Sequence, residues 1–294
     1  MQELLVVSGK GGTGKTSLAA SLAVLADNKV TVDCDVEAAD LHLLLNPEVE
    51  QQEPFYGLEK AVILPEKCIG CGRCAQVCRF DAIFPSESGE AYQVDPLSCE
   101  GCKVCTLVCP AEAIKLQPPV AGYWYVSRTR YGPLVHAQLG IGEANSGKLV
   151  MKIKQVAREV ARQGGYPLIL MDGPPGIGCP VIAAMTGSTL ALAVTEPTMA
   201  GVHDLERLVR LARHFKVPLG VVINKYDLCL EMAQALEDYC RREGIEVWGR
   251  IPFVPKAAEA VVQGVPLVSY SPGPAAEAIG SIWERVADKL AISQ

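Results

Sequence analysis

Residues 8–16 form a loop whose composition suits the binding of a phosphate chain. The loop contains the pattern G-x-x-x-x-G-K-[ST], with its fixed positions at Gly9, Gly14, Lys15 and Thr16. Glycine allows successive backbone N–H groups to turn toward one anion. The lysine of this pattern reaches the outer phosphates, and the hydroxyl that follows it binds Mg²⁺. The pattern therefore predicts a nucleotide site with Mg²⁺ at Thr16.

The segments on either side of this loop indicate the elements that position it. Residues 4–7 are a short apolar run typical of a buried strand, and residues 17–23 suit a helix. A helix that begins at the loop adds the partial positive charge of its N-terminus. A glycine turn between core elements is the alternative, but it does not explain Lys15 and Thr16. The loop residues expected to bind nucleotide are Gly9, Lys10, Gly11, Gly12, Thr13, Gly14, Lys15, Thr16 and Ser17.

Eight of the twelve cysteines form two copies of one pattern, C-x₂-C-x₂-C-x₃-C. Three thiolates on a tight loop, with a fourth from elsewhere, suit the ligand set of a [4Fe–4S] cluster. Zinc is the alternative, because C-x₂-C pairs also bind zinc, but two complete four-cysteine runs favour iron and sulfur. The copies are Cys68, Cys71, Cys74 and Cys78, and Cys99, Cys102, Cys105 and Cys109.

Composition excludes several classes of function. The chain has 294 residues, enough for one large α/β domain and a small one. Its formal net charge is −6 and it has no basic run, so we expect no nucleic-acid partner. No apolar stretch approaches about 18 residues, so we expect no transmembrane segment. The first apolar run is too short for a signal peptide, which predicts a cytoplasmic protein whose cysteines bind metal.

Acidic residues follow two of the predicted strands. Asp33 and Asp35 end the apolar run that begins at Lys29, and Asp172 ends the run that begins at Pro167. Such positions lie where α/β sheets bind their ligands. The glycine at position 176 follows closely, and its backbone N–H can approach a phosphate because glycine has no side chain. We therefore expect these residues beside the phosphate-binding loop.

Lys10 makes the loop resemble the deviant phosphate-binding loop, K-G-G-x-G-K-[ST], of the MinD/ParA/Mrp/nitrogenase-iron-protein ATPases. The resemblance implies ATP as the nucleotide and an ATP-dependent homodimer in which Lys10 crosses to the partner's phosphates. It implies that Asp35 orients or activates the attacking water and that Asp172 binds Mg²⁺ through water. Asp33 is a further Mg²⁺ candidate. The implied catalytic residues are Lys10, Lys15, Asp35 and Asp172.

The same resemblance extends to two later segments. Residues 172–178 are close to the Mrp-type sequence D-x-P-P-G-x-G, which makes Gly176 a sensor of the γ-phosphate. Residues 224–227 read Asn-Lys-Tyr-Asp, where the resembled ATPases place an adenine-contacting residue, Asn224. N-K-x-D also reads guanine in GTPases, so these residues alone leave the base open, and the family favours ATP.

Residues 61–118 resemble a bacterial dicluster ferredoxin over its full length. In that family the fourth ligand of each cluster comes from the other motif. The resemblance assigns Cys68, Cys71, Cys74 and Cys109 to one [4Fe–4S] cluster, and Cys99, Cys102, Cys105 and Cys78 to the other. The predicted fold is α/β: residues 1–60 and 119–294 build a P-loop ATPase with a doubly wound, mainly parallel sheet, and residues 61–118 are a small inserted α+β ferredoxin-like domain. Residues 47–58 are predicted to be a linker.

The resulting hypothesis is an ATPase that couples dimer switching to electron transfer, through two [4Fe–4S] clusters, to an unknown redox partner or metalloprotein. One alternative is a maturation or carrier ATPase for a metallo-cofactor or Fe–S cluster. Another is a MinD-like positioning ATPase whose clusters sense redox state. Pro175 stands where the nitrogenase iron protein has its interface-cluster cysteine, and no C-x-x-C occurs near the C-terminal end, so no interface cluster is expected.

Overall fold

The computed structural model describes residues 1–140, 142–143 and 145–292. Within them the chain divides into two compact units. Unit 1 comprises Met1–Glu53, Trp124–Gln138 and the chain from Ser146 onward. Unit 2 comprises Pro54–Tyr123 and Leu139–Asn145. None of the helices in the described residues combines the length and the apolar composition that a membrane crossing needs.

The strands, in chain order, are β1 (Gln2–Ser8), β2 (Lys29–Asp33), β3 (Glu48–Tyr56), β4 (Lys60–Ile63), β5 (Ile83–Pro85), β6 (Tyr92–Val94), β7 (Ile114–Gln117), β8 (Val120–Thr129), β9 (Gly132–Leu139), β10 (Leu168–Pro175), β11 (Leu190–Thr195), β12 (Leu219–Asn224) and β13 (Glu246–Ile251). The helices are α1 (Lys15–Leu25), α2 (Leu41–Leu45), α3 (Arg73–Gln76), α4 (Val104–Val108), α5 (Ser146–Gly164), α6 (Cys179–Met185), α7 (Met199–His214), α8 (Leu230–Arg242), α9 (Lys256–Val262), α10 (Leu267–Tyr270) and α11 (Pro274–Leu290).

Unit 1 is built on a nine-stranded sheet with the order β13-β12-β11-β1-β10-β2-β9-β8-β3. The pairs from β13 to β9 are parallel. Their strands are apolar almost throughout, because a parallel sheet is covered by helices on both faces. Helices α1, α10 and α11 pack together, as do α5 and α6. The predicted doubly wound, mainly parallel α/β fold is confirmed.

The register of the central strands sets the geometry of the site. Asp172 on β10 stands opposite Asp33 on β2 and opposite Val6 on β1. The phosphate-binding loop leaves β1 two residues after Val6. Parallel strands bring their carboxyl ends to the same edge of the sheet. The loop and both aspartates therefore meet at this edge.

Unit 2 contains two short antiparallel pairs, β4 with β7 and β5 with β6. Its core is small and includes two of the cysteines, Cys74 and Cys105, together with Ala61, Ile63 and Ile83. Three further cysteines, Cys68, Cys78 and Cys99, pack around it together with five other partly buried side chains. The cysteines therefore take the place that larger apolar side chains occupy in an ordinary core.

The linker predicted for residues 47–58 is wrong, because most of this segment is strand β3. Its residues Glu48–Glu53 are all exposed, so the sequence shows no alternation of apolar and polar residues. The strand lies at the edge of the sheet, where charged residues discourage pairing with other chains. Unit 2 extends beyond the predicted bounds 61–118 at both ends and adds Leu139–Asn145, and those bounds stay a prediction.

Candidate nucleotide site and cysteine clusters

The phosphate-binding loop and the start of α1 border a cavity of about 520 Å³ in unit 1. Asp35, Asp40 and Pro175 line the cavity from neighbouring loops. Val261 on α9 and Leu43 and Leu44 on α2 add apolar walls. The loop residues that line it are Ser8, Gly11, Gly12, Thr13, Gly14, Lys15, Thr16 and Ser17. Most of the predicted nucleotide contacts thus share one space large enough for a small ligand.

Gly14 shows why the loop needs glycine. Its φ is +85°, a backbone conformation that is strained for residues with a side chain. A Cβ at this position would also lie only 2.3 Å from Asn224 Nδ2. Asn224 Nδ2 donates to Thr13 O at 2.7 Å, and Asn224 Oδ1 accepts from Lys225 N at 3.0 Å. Asn224 therefore supports the loop through its amide nitrogen, while its oxygen bonds to the backbone of Lys225, and each atom keeps one hydrogen-bonding position for the predicted contact with the base.

Lys15 and Asp172 form a buried ion pair. Lys15 Nζ donates to Asp172 Oδ1 at 2.7 Å, with the two side chains 6% and 1% exposed. Burial alone lowers the pKa of Lys15, but Asp172, with smaller effects of Asp33 and Asp35, raises it above its ordinary value. Lys15 Nζ also lies 3.2 Å from Thr16 Oγ1. The lysine that is predicted to bind phosphate oxygens is thus paired with the carboxylate of Asp172 in this structure.

The second carboxylate oxygen of Asp172, unlike the first, has no hydrogen-bond partner among the described residues. This oxygen, Oδ2, is buried. A buried carboxylate oxygen without a partner is costly unless a cation or water satisfies it. Oxygen ligands of this kind, with a neighbouring hydroxyl such as Thr16, are what Mg²⁺ prefers. The residues present therefore fit the predicted Mg²⁺.

Asp33 is fully buried beside this pair. Its Oδ1 accepts from Asp35 N at 3.0 Å and its Oδ2 from Leu41 N at 3.1 Å. Burial, and then the negative charge of Asp172, raise the pKa of Asp33 well above its ordinary value, against the opposing effect of Lys15. Asp33 therefore shapes the turn after β2, and each of its oxygens already accepts one backbone hydrogen bond.

Asp35 projects from that turn and lines the cavity while half-buried. Burial raises the pKa of Asp35, and Lys15 opposes the rise. Its place at the cavity wall suits a group that contacts water beside a bound phosphate. Asp40, at the start of α2, also lines the cavity and makes no side-chain hydrogen bond to the helix.

Four predicted nucleotide contacts lie outside the cavity wall: Gly9, Lys10, Gly176 and Asn224. A Cβ on Gly9 would lie 2.3 Å from Asp204 Cβ on α7, so the loop packs closely there. Gly176 has a φ of +91°, and its N–H donates to Ser8 O at 2.9 Å. The predicted sensing of a γ-phosphate by Gly176 therefore requires this hydrogen bond to break. Lys10 Nζ pairs instead with Glu196 Oε1 at 2.7 Å.

In unit 2 the structure brings together the four cysteines assigned to the first cluster. Cys68, Cys71, Cys74 and Cys109 line one small cavity, of about 20 Å³, whose other walls are apolar. Three of them come from the first motif and one from the second. Burial, and also the nearby thiols of Cys68 and Cys109, raise the pKa of Cys74. The exchange of the fourth cysteine between motifs is thus present in the positions of the side chains.

Three cysteines of the second motif, Cys99, Cys102 and Cys105, lie close together. Burial, and then the nearby thiols of Cys99 and Cys102, raise the pKa of Cys105 to about 11. The fourth cysteine of each motif accepts a backbone hydrogen bond at the matching place. Cys78 Sγ accepts from Ala82 N at 3.4 Å, and Cys109 Sγ accepts from Ala113 N at 3.3 Å.

The backbone of the two motifs repeats residue for residue. Gly70 and Gly101 have φ of +65° and +66°. Gly72 and Lys103 have +68° and +69°, and Asp81 and Glu112 have +50° and +47°. These left-handed positions turn the loops so that three cysteines face inward. Lys103 is the one position in this set where the second motif has another residue in place of a glycine of the first motif, and it keeps the same left-handed backbone.

The arrangement differs from a site for one ion. In the part of the chain that the structure describes, no three His, Cys, Asp or Glu side chains converge as the ligands of a single metal ion. Zinc needs four donors around one point. A [4Fe–4S] cluster instead takes one thiolate at each of four separate irons, so its ligands stand around a larger space.

Sequence reasoning missed several residues of the nucleotide site. Glu196 and Lys225 contact the loop or its lysine although they lie far away in the chain. Glu196 directly follows β11, and Asp172 lies near the carboxyl end of β10, so the position of Glu196 at a strand end was a usable signal. Val261 gives no such signal, because one apolar residue on a helix is ordinary.

Comparisons with known proteins agree with the fold. Residues 4–267 match the family model described as the CobQ/CobB/MinD/ParA nucleotide binding domain. An uncharacterised protein of Methanocaldococcus jannaschii is 38% identical over 232 residues, which are 76% of this chain and 78% of that protein. An iron-sulfur cluster carrier protein of Pyrococcus abyssi is 26% identical over 98% of this chain and 86% of its own length.

Among solved structures, the septum site-determining protein MinD of Pyrococcus horikoshii, in complex with Mg-ADP, superposes with a TM-score of 0.59. The two sequences are 22% identical, and the match covers 99% of this chain and 97% of the other. At this identity the likeness concerns the fold. It agrees with the parallel sheet and the phosphate-binding loop of unit 1.

Proposed function

This chain belongs to the CobQ/CobB/MinD/ParA nucleotide-binding family and is a P-loop ATPase, and on that premise we propose that it couples ATP hydrolysis to electron transfer. ATP and Mg²⁺ bind at the loop of unit 1. Two [4Fe–4S] clusters reside in unit 2, within the predicted ferredoxin-like domain of residues 61–118. The recipient is a redox protein, and the working form is an ATP-dependent homodimer in the cytoplasm.

The ATPase roles follow from the geometry of unit 1. Lys15 leaves Asp172 for the phosphates, which exchanges one charge-assisted hydrogen bond for another. The released Asp172 and the Thr16 hydroxyl then hold Mg²⁺, directly or through water. Asp35, on the cavity wall, orients the attacking water. Asp33 keeps the turn that carries Asp35 in place through its two backbone hydrogen bonds.

The observation that carries the redox half is the grouping of four cysteines, three from one motif and one from the other, around one cavity in unit 2. Thiolates in this arrangement suit a bound cluster, which when present supplies one-electron chemistry. Cys74 and Cys105 are each only 8% exposed, so the protein shields these ligands from exchange with solvent. Cys71 and Cys102 are exposed, so each predicted cluster has at least one buried and one exposed ligand, and the buried ligand favours a cluster that stays in place.

A carrier function is the second candidate, and the name of the Pyrococcus abyssi relative favours it. In that case iron and sulfide would leave the chain for an acceptor protein. The two functions make opposite predictions about the clusters, because electron transfer keeps them and carriage releases them. Measuring whether iron stays on this protein or moves to an apo acceptor protein distinguishes the two functions.

The test is anaerobic purification followed by iron and sulfide counts and ATPase assays of the oxidised and the reduced protein. We expect about eight irons and eight sulfides per chain, full retention of both in the presence of ATP and an apo-ferredoxin, and hydrolysis that changes on reduction. A Lys15→Ala variant provides the blank for contaminating ATPase. Bound zinc in place of iron would overturn the redox half, and ATP-dependent loss of iron to the acceptor would establish the carrier function instead.

A further inference from the structure

Glu196, immediately after β11, binds two lysines of the nucleotide site at once. Lys10 Nζ lies 2.7 Å from Glu196 Oε1, and Lys225 Nζ lies 3.1 Å from Glu196 Oε2. Lys225 Nζ also donates to Gly12 O at 3.0 Å. The carboxylate thus joins the phosphate-binding loop to the segment that follows β12. None of the predicted roles uses this contact.

The backbone around Glu196 is held firmly. Thr198 caps α7 by accepting from Gly201 N at 3.0 Å, and Thr195 Oγ1 donates to Gly201 O at 3.1 Å. A Cβ on Gly201 would lie 2.2 Å from Glu196 O, so the two backbones are in close contact. Burial raises the pKa of Glu196, but Lys10 and Lys225 lower it further, to a net value below its ordinary one. The acceptor is therefore fixed and charged.

Lys10 is the more exposed partner. Its side chain is 34% exposed, whereas that of Glu196 is 15% exposed. Lys10 is not among the residues that border the nucleotide cavity, although its neighbours from Gly11 to Ser17 are. Its ammonium is thus occupied by a carboxylate of its own chain and is turned away from its own nucleotide.

We propose that Glu196 is a latch that holds Lys10 within its own chain until the phosphates of a second copy compete for it. The proposal rests on the ATP-dependent homodimer of the proposed function. In that dimer Lys10 turns toward the partner's phosphates, so its contact with Glu196 is given up when the dimer forms. Glu196 is a positioning residue, because it acts through Lys10 and touches no reacting atom.

The size of the effect follows from symmetry. In a two-fold dimer each contact occurs twice, so two latches open per dimer. A partly exposed ion pair changes an equilibrium by roughly 1.4- to 5-fold. Loss of both latches should therefore tighten the dimer by about 2- to 30-fold.

The experiment measures the dissociation constant of the dimer by sedimentation, with a non-hydrolysable ATP analogue and Mg²⁺, for the wild type and for Glu196→Gln. The amide keeps the shape of the side chain and removes its charge. We expect Glu196→Gln to tighten the dimer by about 2- to 30-fold. Glu231→Gln, the same change at an exposed glutamate on α8, should leave the constant unaltered.

A double substitution separates the latch from a general structural effect. If Glu196 acts through Lys10, adding Glu196→Gln to a Lys10→Ala chain should have no further effect on self-association. If the effect of Glu196→Gln persists without Lys10, it comes from Lys225 or from the loop backbone, and the latch is overturned. An unchanged dimer constant for Glu196→Gln overturns it as well.

A second readout needs no dimer. In the nucleotide-free monomer, Lys10 should react with an amine-selective ester faster in Glu196→Gln than in the wild type, with the exposed Lys148 as the internal standard in peptide mass spectrometry. Equal labelling of Lys10 in both proteins overturns the latch. A wild type that stays monomeric with the ATP analogue overturns the proposed homodimer, while the labelling still decides whether Glu196 holds Lys10.

Discussion

At the scale of single residues, the nucleotide site is organised by buried charge. Lys15 is one buried cation beside two buried carboxylates, Asp172 and Asp33. Ionised groups withdrawn from water are tolerated only when they are paired and hydrogen-bonded. The pair Lys15–Asp172 therefore stabilises the two buried charges and holds both side chains beside the predicted positions of phosphate and Mg²⁺.

Removing the cation should expose this dependence. We predict that Lys15→Met lowers the free energy of unfolding of unit 1 by about 3–5 kcal/mol at pH 7, because the two carboxylates are left without a cation. The loss should shrink as the pH falls, because the raised pKa of Asp33 allows its protonation to remove one of the two negative charges. Urea titration followed by tryptophan fluorescence measures it, because Trp124, Trp248 and Trp283 all lie in unit 1.

Lys148→Met, at an exposed position of α5, is the matched control and should change stability by less than about 0.5 kcal/mol. Adding Asp172→Asn to Lys15→Met should restore part of the loss. Equal stability of Lys15→Met and the control at pH 7 would contradict the importance of the pair.

His136 predicts a second dependence on pH. It is buried on β9, with Nε2 3.0 Å from Ser127 Oγ and its ring stacked on Tyr125 at 4.8 Å. Burial, with a smaller effect of His42, lowers the pKa of His136 to about 4, from 6.5. Between pH 6.5 and about 4, His136 is therefore protonated in the unfolded chain and neutral in the folded chain. Stability is retained in full above pH 6.5 and is lost as the pH falls from 6.5 to 4, by up to about 3 kcal/mol.

The measurement is the slope of unfolding free energy against pH over that interval. His136→Phe should flatten the slope, although it lowers stability at pH 7 because the buried Ser127 hydroxyl loses its partner. His203→Phe, at an exposed position of α7, should leave the slope as it is. Parallel curves for the wild type and His136→Phe would show that His136 does not carry this dependence.

At the scale of elements, the two cysteine loops depend on left-handed turns. Gly101 has a φ of +66°, and a Cβ there would lie 2.3 Å from Glu59 O. We predict that Gly101→Ala displaces Cys99 and Cys102 and costs the second cluster. Iron should fall from about eight to about four per chain, while the electron paramagnetic resonance signal of the first cluster remains.

Gly89→Ala is the control for backbone strain. Gly89 has a φ of +73° in the turn between β5 and β6, with nothing within 4 Å of the added Cβ. It should lose about 1 kcal/mol and no iron. Full iron content in Gly101→Ala would mean that this turn does not position the second set of ligands.

The elements also show how far sequence could predict this structure. Apolar runs such as Leu4–Val7 identified the central strands, because a strand buried on both faces leaves a continuous pattern. Strand β3 was missed because its exposed, acidic residues give no pattern. The loop residues were identifiable from their spacing, but the Lys10–Glu196 and Thr13–Asn224 contacts join residues far apart in the chain. Such partners become evident only when the sheet aligns the ends of its strands.

At the scale of the whole molecule, the proposed coupling joins a nucleotide site in unit 1 to clusters in unit 2 through the chain itself. The chain leaves unit 1 after Glu53 and returns at Trp124, and Leu139–Asn145 makes a second excursion directly before α5. Helix α5 packs on α6, which follows the Asp172–Gly178 loop. A change in that segment on hydrolysis can thus reach unit 2 through the packing of α6 on α5 and then along the chain before α5.

Coupling of this kind is reciprocal, because linkage requires reduction and ATP binding to affect each other equally. The most direct measurement is an anaerobic redox titration of the purified protein with and without a non-hydrolysable ATP analogue, alongside the dissociation constant of the analogue for the oxidised and reduced forms. We predict that the analogue shifts at least one midpoint potential, by about 59 mV for each tenfold difference in affinity. Identical potentials with and without the analogue, together with one affinity for both redox states, would contradict ATP-coupled electron transfer.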